Sequence, residues 1–255
     1  MTHEVSKISI GNYLNNNSIQ KFLEKELKEK KTEFVSNLLA LSENDKNIAE
    51  CDPQKLVQCA MNATALNMPL NKNLGFAYIV AYKGVPSFQL GYKGVIQLAI
   101  RTGAYEFLNA CEIREGEISR NKISGEIKFI GENPEGKVVG YLAYLKLKSG
   151  FQSSFYMTTE QIEKHALKYS TSYQYDVKNK KRASLWSDPE SREKMALKTV
   201  IKKLLGTYGI MTTDMIKAFD SDNDNEVVPE GKRRNISDAE VVQQEEPTQP
   251  KKVQI

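Results

Sequence analysis

Apolar side chains in the stretch REKMALKTVIKKLL, residues 192–205, gather on one arc when wound at 100° per residue. Ala196, Leu197, Val200, Ile201 and Leu204 fill that arc, and Lys194, Lys198 and Lys202 form a stripe beside it. Asp188-Pro189 supplies a start signal and Gly206 a stop, so a helix is predicted between them. The same periodicity predicts helices in SIQKFLEKELKEKK and KTEFVSNLLALSEN, and Asp52-Pro53 opens another in DPQKLVQCAMNATALNM. Alternating aromatic and β-branched residues then predict a hairpin from GFAYIVAYK and VPSFQLG, turning at Gly84. YKGVIQLAIRTG is helical and closes at Gly103. YEFLNACEIRE, EISRNKISGEIKFIG, KVVGYLAYLKLKSG and FQSSFYM predict an antiparallel meander. Thr158 and Gln161 make a capping box for TTEQIEKHALKYS, and a polar stretch, STSYQYDVKNKKRAS, separates that helix from the lysine-striped one. The fold class is therefore α+β with N-terminal helices.

Charge divides the chain. Residues 1–218 carry 31 Lys and Arg against 23 Asp and Glu, whereas residues 219–255 carry 5 against 9. The second segment, rich in Asp, Glu, Gln and Pro, is expected to be a disordered acidic tail. The expected organisation is an N-terminal helical segment (1–50) for subunit contacts, a core (51–218) and the tail (219–255). A basic body points to a polyanionic partner. Three cysteines without paired-ligand spacing suit a reducing cytoplasm, and with no run of eighteen apolar residues and no apolar core in the first seventeen, neither a membrane span nor secretion is expected.

Enzyme motifs are sparse. GENPEGKV, Gly131 to Val138, imitates a phosphate loop, but Val138 stands where Ser or Thr must hold magnesium. A strand-like segment follows it, so a hairpin turn is expected. With two histidines, His3 and His165, no multi-histidine metal site can form. Asp176, Asp188, Glu190 and Glu193 could serve a nuclease, yet Asp188 reads as a helix cap and the two glutamates suit the first helical turn. No catalytic residue, metal ligand or cofactor is expected.

The cationic surface is more informative. Lysines four apart repel by roughly 0.2–0.5 kcal/mol per pair unless an anion neutralises them. No acid occurs between Asp52 and Glu106, where Lys55, Lys72, Lys83, Lys93 and Arg101 all occur. Lys93, Gln97 and Arg101 repeat the stripe on a second helix. Lys178, Lys180, Lys181 and Arg182 follow, with Tyr169, Tyr173, Tyr175 and Trp186 nearby to stack unpaired bases. Charge runs are often merely solvated faces. Lacking a helix-turn-helix or zinc finger, the pattern favours single-stranded nucleic acid held by its phosphates. Composition leaves open annealing, passive coating and cleavage of that strand.

The blocks LNMPLNKNLGFAYIVAYKG, FQLGYKGVIQLAIRTG, YMTTEQIEKHALKYS and LWSDPESREKMALKTVIKKLLGTYG, in this order, resemble the RecT family of phage and prophage recombinases. The resemblance runs from about residue 20 to 218, with Gly91-Tyr92-Lys93-Gly94 at its heart. It implies an ATP-independent single-strand annealing protein with a Rad52-like core, a curved antiparallel sheet crossed by a long helix. It further implies rings or helical filaments, an annealed duplex intermediate, and a 5′→3′ exonuclease partner. Lys93, Arg101, Lys194 and Lys198 are the implied phosphate contacts. Charge and geometry extend the expected surface to Lys83, Tyr92, Gln97, Lys178, Lys180, Lys181, Arg182, Trp186, Lys202 and Lys203. The acidic tail would compete for this groove, meet the exonuclease or a host single-strand binding protein, or only add solubility.

Overall fold

The computed structural model describes residues 8–71, 73–82 and 84–223 of the chain. Lys83 and the segment beyond residue 223 lie outside the described residues. Local capping chemistry sets several helix starts. Asp52 accepts from the Lys55 amide and opens α5 (Pro53–Ala65). Thr158 and Gln161 exchange bonds at the start of α7 (Thr159–Tyr169). Asp188 accepts from the Ser191 amide and opens α9 (Pro189–Tyr208). Four helices precede these: α1 (Ile10–Leu14), α2 (Asn17–Leu27), α3 (Lys31–Asn44) and α4 (Lys46–Ala49).

Two of the sequence expectations shift here. Gly206 does not stop α9, because an exposed helical glycine costs only about 1 kcal/mol. The helix ends at Gly209, where a Cβ would lie 2.6 Å from the Leu205 carbonyl oxygen and 2.8 Å from the Tyr105 hydroxyl. The polar stretch after α7 is itself helical, forming α8 (Thr171–Asn179).

Strands β1 (Ala77–Tyr82) and β2 (Val85–Leu90) form the expected hairpin, followed by α6 (Tyr92–Arg101). The expected meander has a different order. β3 (Tyr105–Arg114) pairs with β6 (Val138–Leu147), and β6 with β7 (Gln152–Thr158), all antiparallel. Between β3 and β6 the chain makes a separate ribbon of β4 (Ile118–Arg120) and β5 (Ile127–Phe129). The antiparallel strands thus form three small sheets rather than one. Gly131 to Val138 joins β5 to β6, which do not pair, so it is a loop and not a hairpin turn. Arg114 fixes it by donating to the carbonyls of Gly136 (2.8 Å) and Pro134 (3.3 Å).

Ala143, Leu145 and Leu147 alternate along β6 toward the core, opposite Ala110, Leu108 and Tyr105 of β3. α9 packs against β3, β6 and β7, burying Val200, Ile201 and Leu204 completely. Each such side chain contributes about 1.5–3 kcal/mol of burial. A second apolar cluster joins Leu14, Leu23 and Leu38 of the N-terminal helices to Leu56, Val57 and Ala60 of α5 and Ile79 of β1. The expected boundary at residue 50 therefore falls inside one packed cluster. The boundary at 219 also moves, because α10 (Thr213–Asn223) buries Met215, Ala218, Phe219 and Asp222. Among the described residues no helix is long and apolar enough to cross a membrane.

Candidate nucleic-acid interface

The Gly91-Tyr92-Lys93-Gly94 block has a steric cause. The turn before β1 presses its backbone onto the start of α6. A Cβ on Gly91 would lie 2.0 Å from the Gly75 carbonyl oxygen, and one on Gly94 1.9 Å from that of Phe76. The Gly91 amide donates to the Phe76 carbonyl at 2.9 Å. This close approach carries Lys93 to Tyr78: a Cβ on Gly75 would lie 3.3 Å from the Tyr78 hydroxyl and 3.6 Å from Lys93 Cδ. Lys194 is carried by α9, which packs on α6. Its ammonium is held above the ordinary lysine pKa by a hydrogen bond to Glu190, then by that carboxylate's charge, with Tyr78 adding to the effect. Lys93 is exposed and has no carboxylate partner among the described residues.

The lysine stripe of α9 is not bare, contrary to the sequence expectation. Lys194 pairs with Glu190 at 2.7 Å on the open surface. Lys198 and Lys202 converge on Asp222 of α10, at 2.8 and 2.6 Å. Asp222 also accepts from the Leu90 amide at 3.1 Å and so ties α10 to both α9 and β2. Burial alone would raise its pKa, but Lys198 and Lys202 outweigh that and hold it below the usual aspartate value. The anion facing the inner half of the stripe is therefore the protein's own.

Other expected contacts divide between structural and open positions. Arg101 donates to the carbonyls of Leu66 (2.6 Å) and Asn67 (3.0 Å), closing the end of α5. Gln97 is half-buried on α6. Tyr92 is half-buried against the main core, its hydroxyl pKa raised by burial and then by Cys111. Trp186 is 4% exposed and sits 6.4 Å from the buried ring of Tyr173, leaving no face for a base. Tyr173 donates to Glu163, to which Arg192 is also bonded. Lys178, Lys180, Lys181 and Arg182 are all exposed. Their loop is shaped by Asp176, which accepts from the Ser187 hydroxyl (2.6 Å) and from the amides of Ser184 (2.7 Å) and Ala183 (2.9 Å). These bonds, the Ser187 hydroxyl first, lower its pKa to about 2. Lys181 lies 5.5 Å over the exposed ring of Tyr175. Lys203 lies off the stripe and lines a recess together with His165.

Lys93 and Lys194 thus stand exposed on two helices that pack together, while Arg101, Lys202 and Lys203 serve three other places. The acids considered for cleavage are dispersed: Asp176 organises a loop, Asp188 caps α9, and Glu190 pairs with Lys194. Among the described residues no three His, Cys, Asp or Glu side chains cluster as metal ligands. Sequence reasoning missed Tyr78 and Asp222. Tyr78 was legible only as one aromatic of a strand, and Asp222 as one acid of an acidic run.

Comparison with known proteins bears on the whole chain. Residues 32–240 match the RecT family, a later start and later end than the motifs alone suggested. Uncharacterized protein YqaK of Bacillus subtilis (strain 168) is 37% identical over 243 residues, covering 93% of this chain and 81% of that protein. Protein RecT of Escherichia coli (strain K12) is 31% identical over 127 residues, 46% of this chain and 47% of its own length. On this match the chain belongs to the RecT family, which implies phage-type single-strand annealing recombination.

Proposed function

We propose that this protein binds single-stranded DNA by its backbone and pairs it with a complementary strand, without nucleotide hydrolysis. The observation that carries the proposal is the packing of two basic helices, α6 with its exposed Lys93 and α9 with its exposed Lys194. Lys178, Lys180, Lys181 and Arg182 add exposed charge beside Tyr175, an aromatic able to take a base. Phosphates displace counterions from these groups, which supplies affinity without reading sequence. Base pairing then supplies selectivity. The packing of α9 on β3, β6 and β7 is compatible with the Rad52-like core that the family implies. In this proposal the chain works as a homo-oligomeric ring or filament. A 5′→3′ exonuclease prepares its strand, and the N-terminal helices make the subunit contacts. The host single-strand binding protein is a further partner, and the site of action is the bacterial cytoplasm.

Two complementary oligonucleotides, one carrying a fluorescence donor and one an acceptor, test this directly. The expected result is faster pairing with the protein than without it, in the absence of ATP. Binding of one strand with no acceleration would make the protein a passive coat. Shortened oligonucleotides after incubation with magnesium would make it a nuclease.

A further inference from the structure

Lys203 is nine residues beyond Lys194 on α9, half a revolution round the helix and about 14 Å along it. It therefore opens onto a different surface from the stripe. There the structure forms a recess of about 470 Å³ between β4, β7, α7 and α9, whose lining includes Arg120, Lys164, His165, Lys168, Tyr169 and Lys203. Four of these six are cations. Among the described residues the one carboxylate joined to them is Glu160, an exposed residue that pairs with Lys164 at 2.6 Å. Lys168 lies 5.0 Å over the Tyr169 ring, and that ring is 4.7 Å from the His165 imidazole. The half-buried imidazole has no hydrogen-bond partner among the described residues.

We propose that this recess is a second anion site of the chain, built to hold a nucleic-acid phosphate between α7 and α9, with the aromatic pair as its wall. The inference rests on the single-stranded DNA reading but concerns a different surface. Like charges gathered in a concavity repel one another, and an anion placed among them removes that repulsion. The volume suits one nucleotide unit. The imidazole reports the local field: burial first, then Lys203, Lys202 and Lys168, push its pKa down to about 4. Lys164 and Arg120 face the same space, Glu160 is offset by Lys164, and Lys202 is engaged by Asp222. A phosphate in the recess opposes the three lysines and raises the imidazole pKa. By linkage, DNA binding then strengthens as pH falls toward that value.

The test follows the His165 imidazole by nuclear magnetic resonance in the full chain, with His165→Gln identifying its signal. Three probes are added separately: inorganic phosphate, an oligonucleotide with a 5′-hydroxyl, and the same oligonucleotide with a 5′-phosphate. Gel retardation under the same conditions records whether DNA is bound. The expected result is a midpoint about one unit higher with DNA, equivalent to a tenfold gain in affinity on protonation. A rise with both oligonucleotides identifies an internal phosphodiester, and a rise only with the phosphorylated one identifies a strand end. The rise is expected to vanish in Lys168→Ala/Lys203→Ala, with an unchanged melting temperature. DNA retarded in the gel with the His165 midpoint unmoved overturns the pocket and leaves the DNA reading standing. A midpoint moved by inorganic phosphate, with no DNA retarded, supports the pocket and overturns the DNA reading.

Discussion

At Asp222 a single buried carboxylate faces two ammonium groups and one backbone amide. Removing it strands two lysines in a largely dry setting, so Asp222→Ala is expected to cost on the order of 3–5 kcal/mol in a denaturant titration. The pH dependence has a definite sign. A folded pKa below the unfolded value of about 3.9 contributes stability that is complete above that value and lost as pH falls from it through the folded pKa. Asp222→Asn should flatten this acid limb in melts recorded below about pH 4. Sterics rule at Gly94, where a methyl group meets the Phe76 carbonyl oxygen at 1.9 Å. Gly94→Ala should lower unfolding stability by about 3 kcal/mol. The glycines of that block were legible as a motif, but their cause was not, because Gly75 and Phe76 are distant in sequence. Trp186 shows the converse: an aromatic among lysines suggests stacking, and only its packing beside Tyr173 reveals a core residue.

Helices whose starts are fixed by their own neighbours were readable, as Asp52-Pro53, Thr158 with Gln161, and Asp188-Pro189 illustrate. Those held by remote partners were not. α8 buries Tyr173 and Asp176, polar residues that become core-compatible only when Glu163, Ser184 and Ser187 satisfy them. The pairing of β3 with β6 skips a ribbon that the sequence presents as the next strands of a meander. The end of α10, from residue 219, looked like the beginning of a tail because the sequence turns acidic there, whereas Phe219 and Asp222 are buried. Two truncations isolate the contribution of its last turn. A chain ending at Ala218 should unfold with on the order of 5 kcal/mol less stability than one ending at Asn223, from loss of Phe219 and of the carboxylate between Lys198 and Lys202. Equal melting temperatures for the two chains would show that residues 219–223 add nothing to the fold.

Across the whole molecule, the overall balance of charge was legible in composition, but which cations remain open was not. Lys93 and Lys194 stand at the proposed strand contact, Lys178 to Arg182 beyond α8, and Lys203 with Lys168 on another flank. Lys93→Ala/Lys194→Ala should weaken single-strand binding and shallow the slope of log affinity against log salt by up to about 1.4, at about 0.7 per phosphate contact. The melting temperature should hold, since both side chains are exposed. Asp222 bears on the same experiment, because it is a counter-ion that never diffuses away. Lys198 and Lys202 already have this tethered partner, so a phosphate that approached them would exchange one anion for another and release little salt. The salinity response of the protein should therefore count fewer cations than α9 carries, and Asp222→Asn should steepen it.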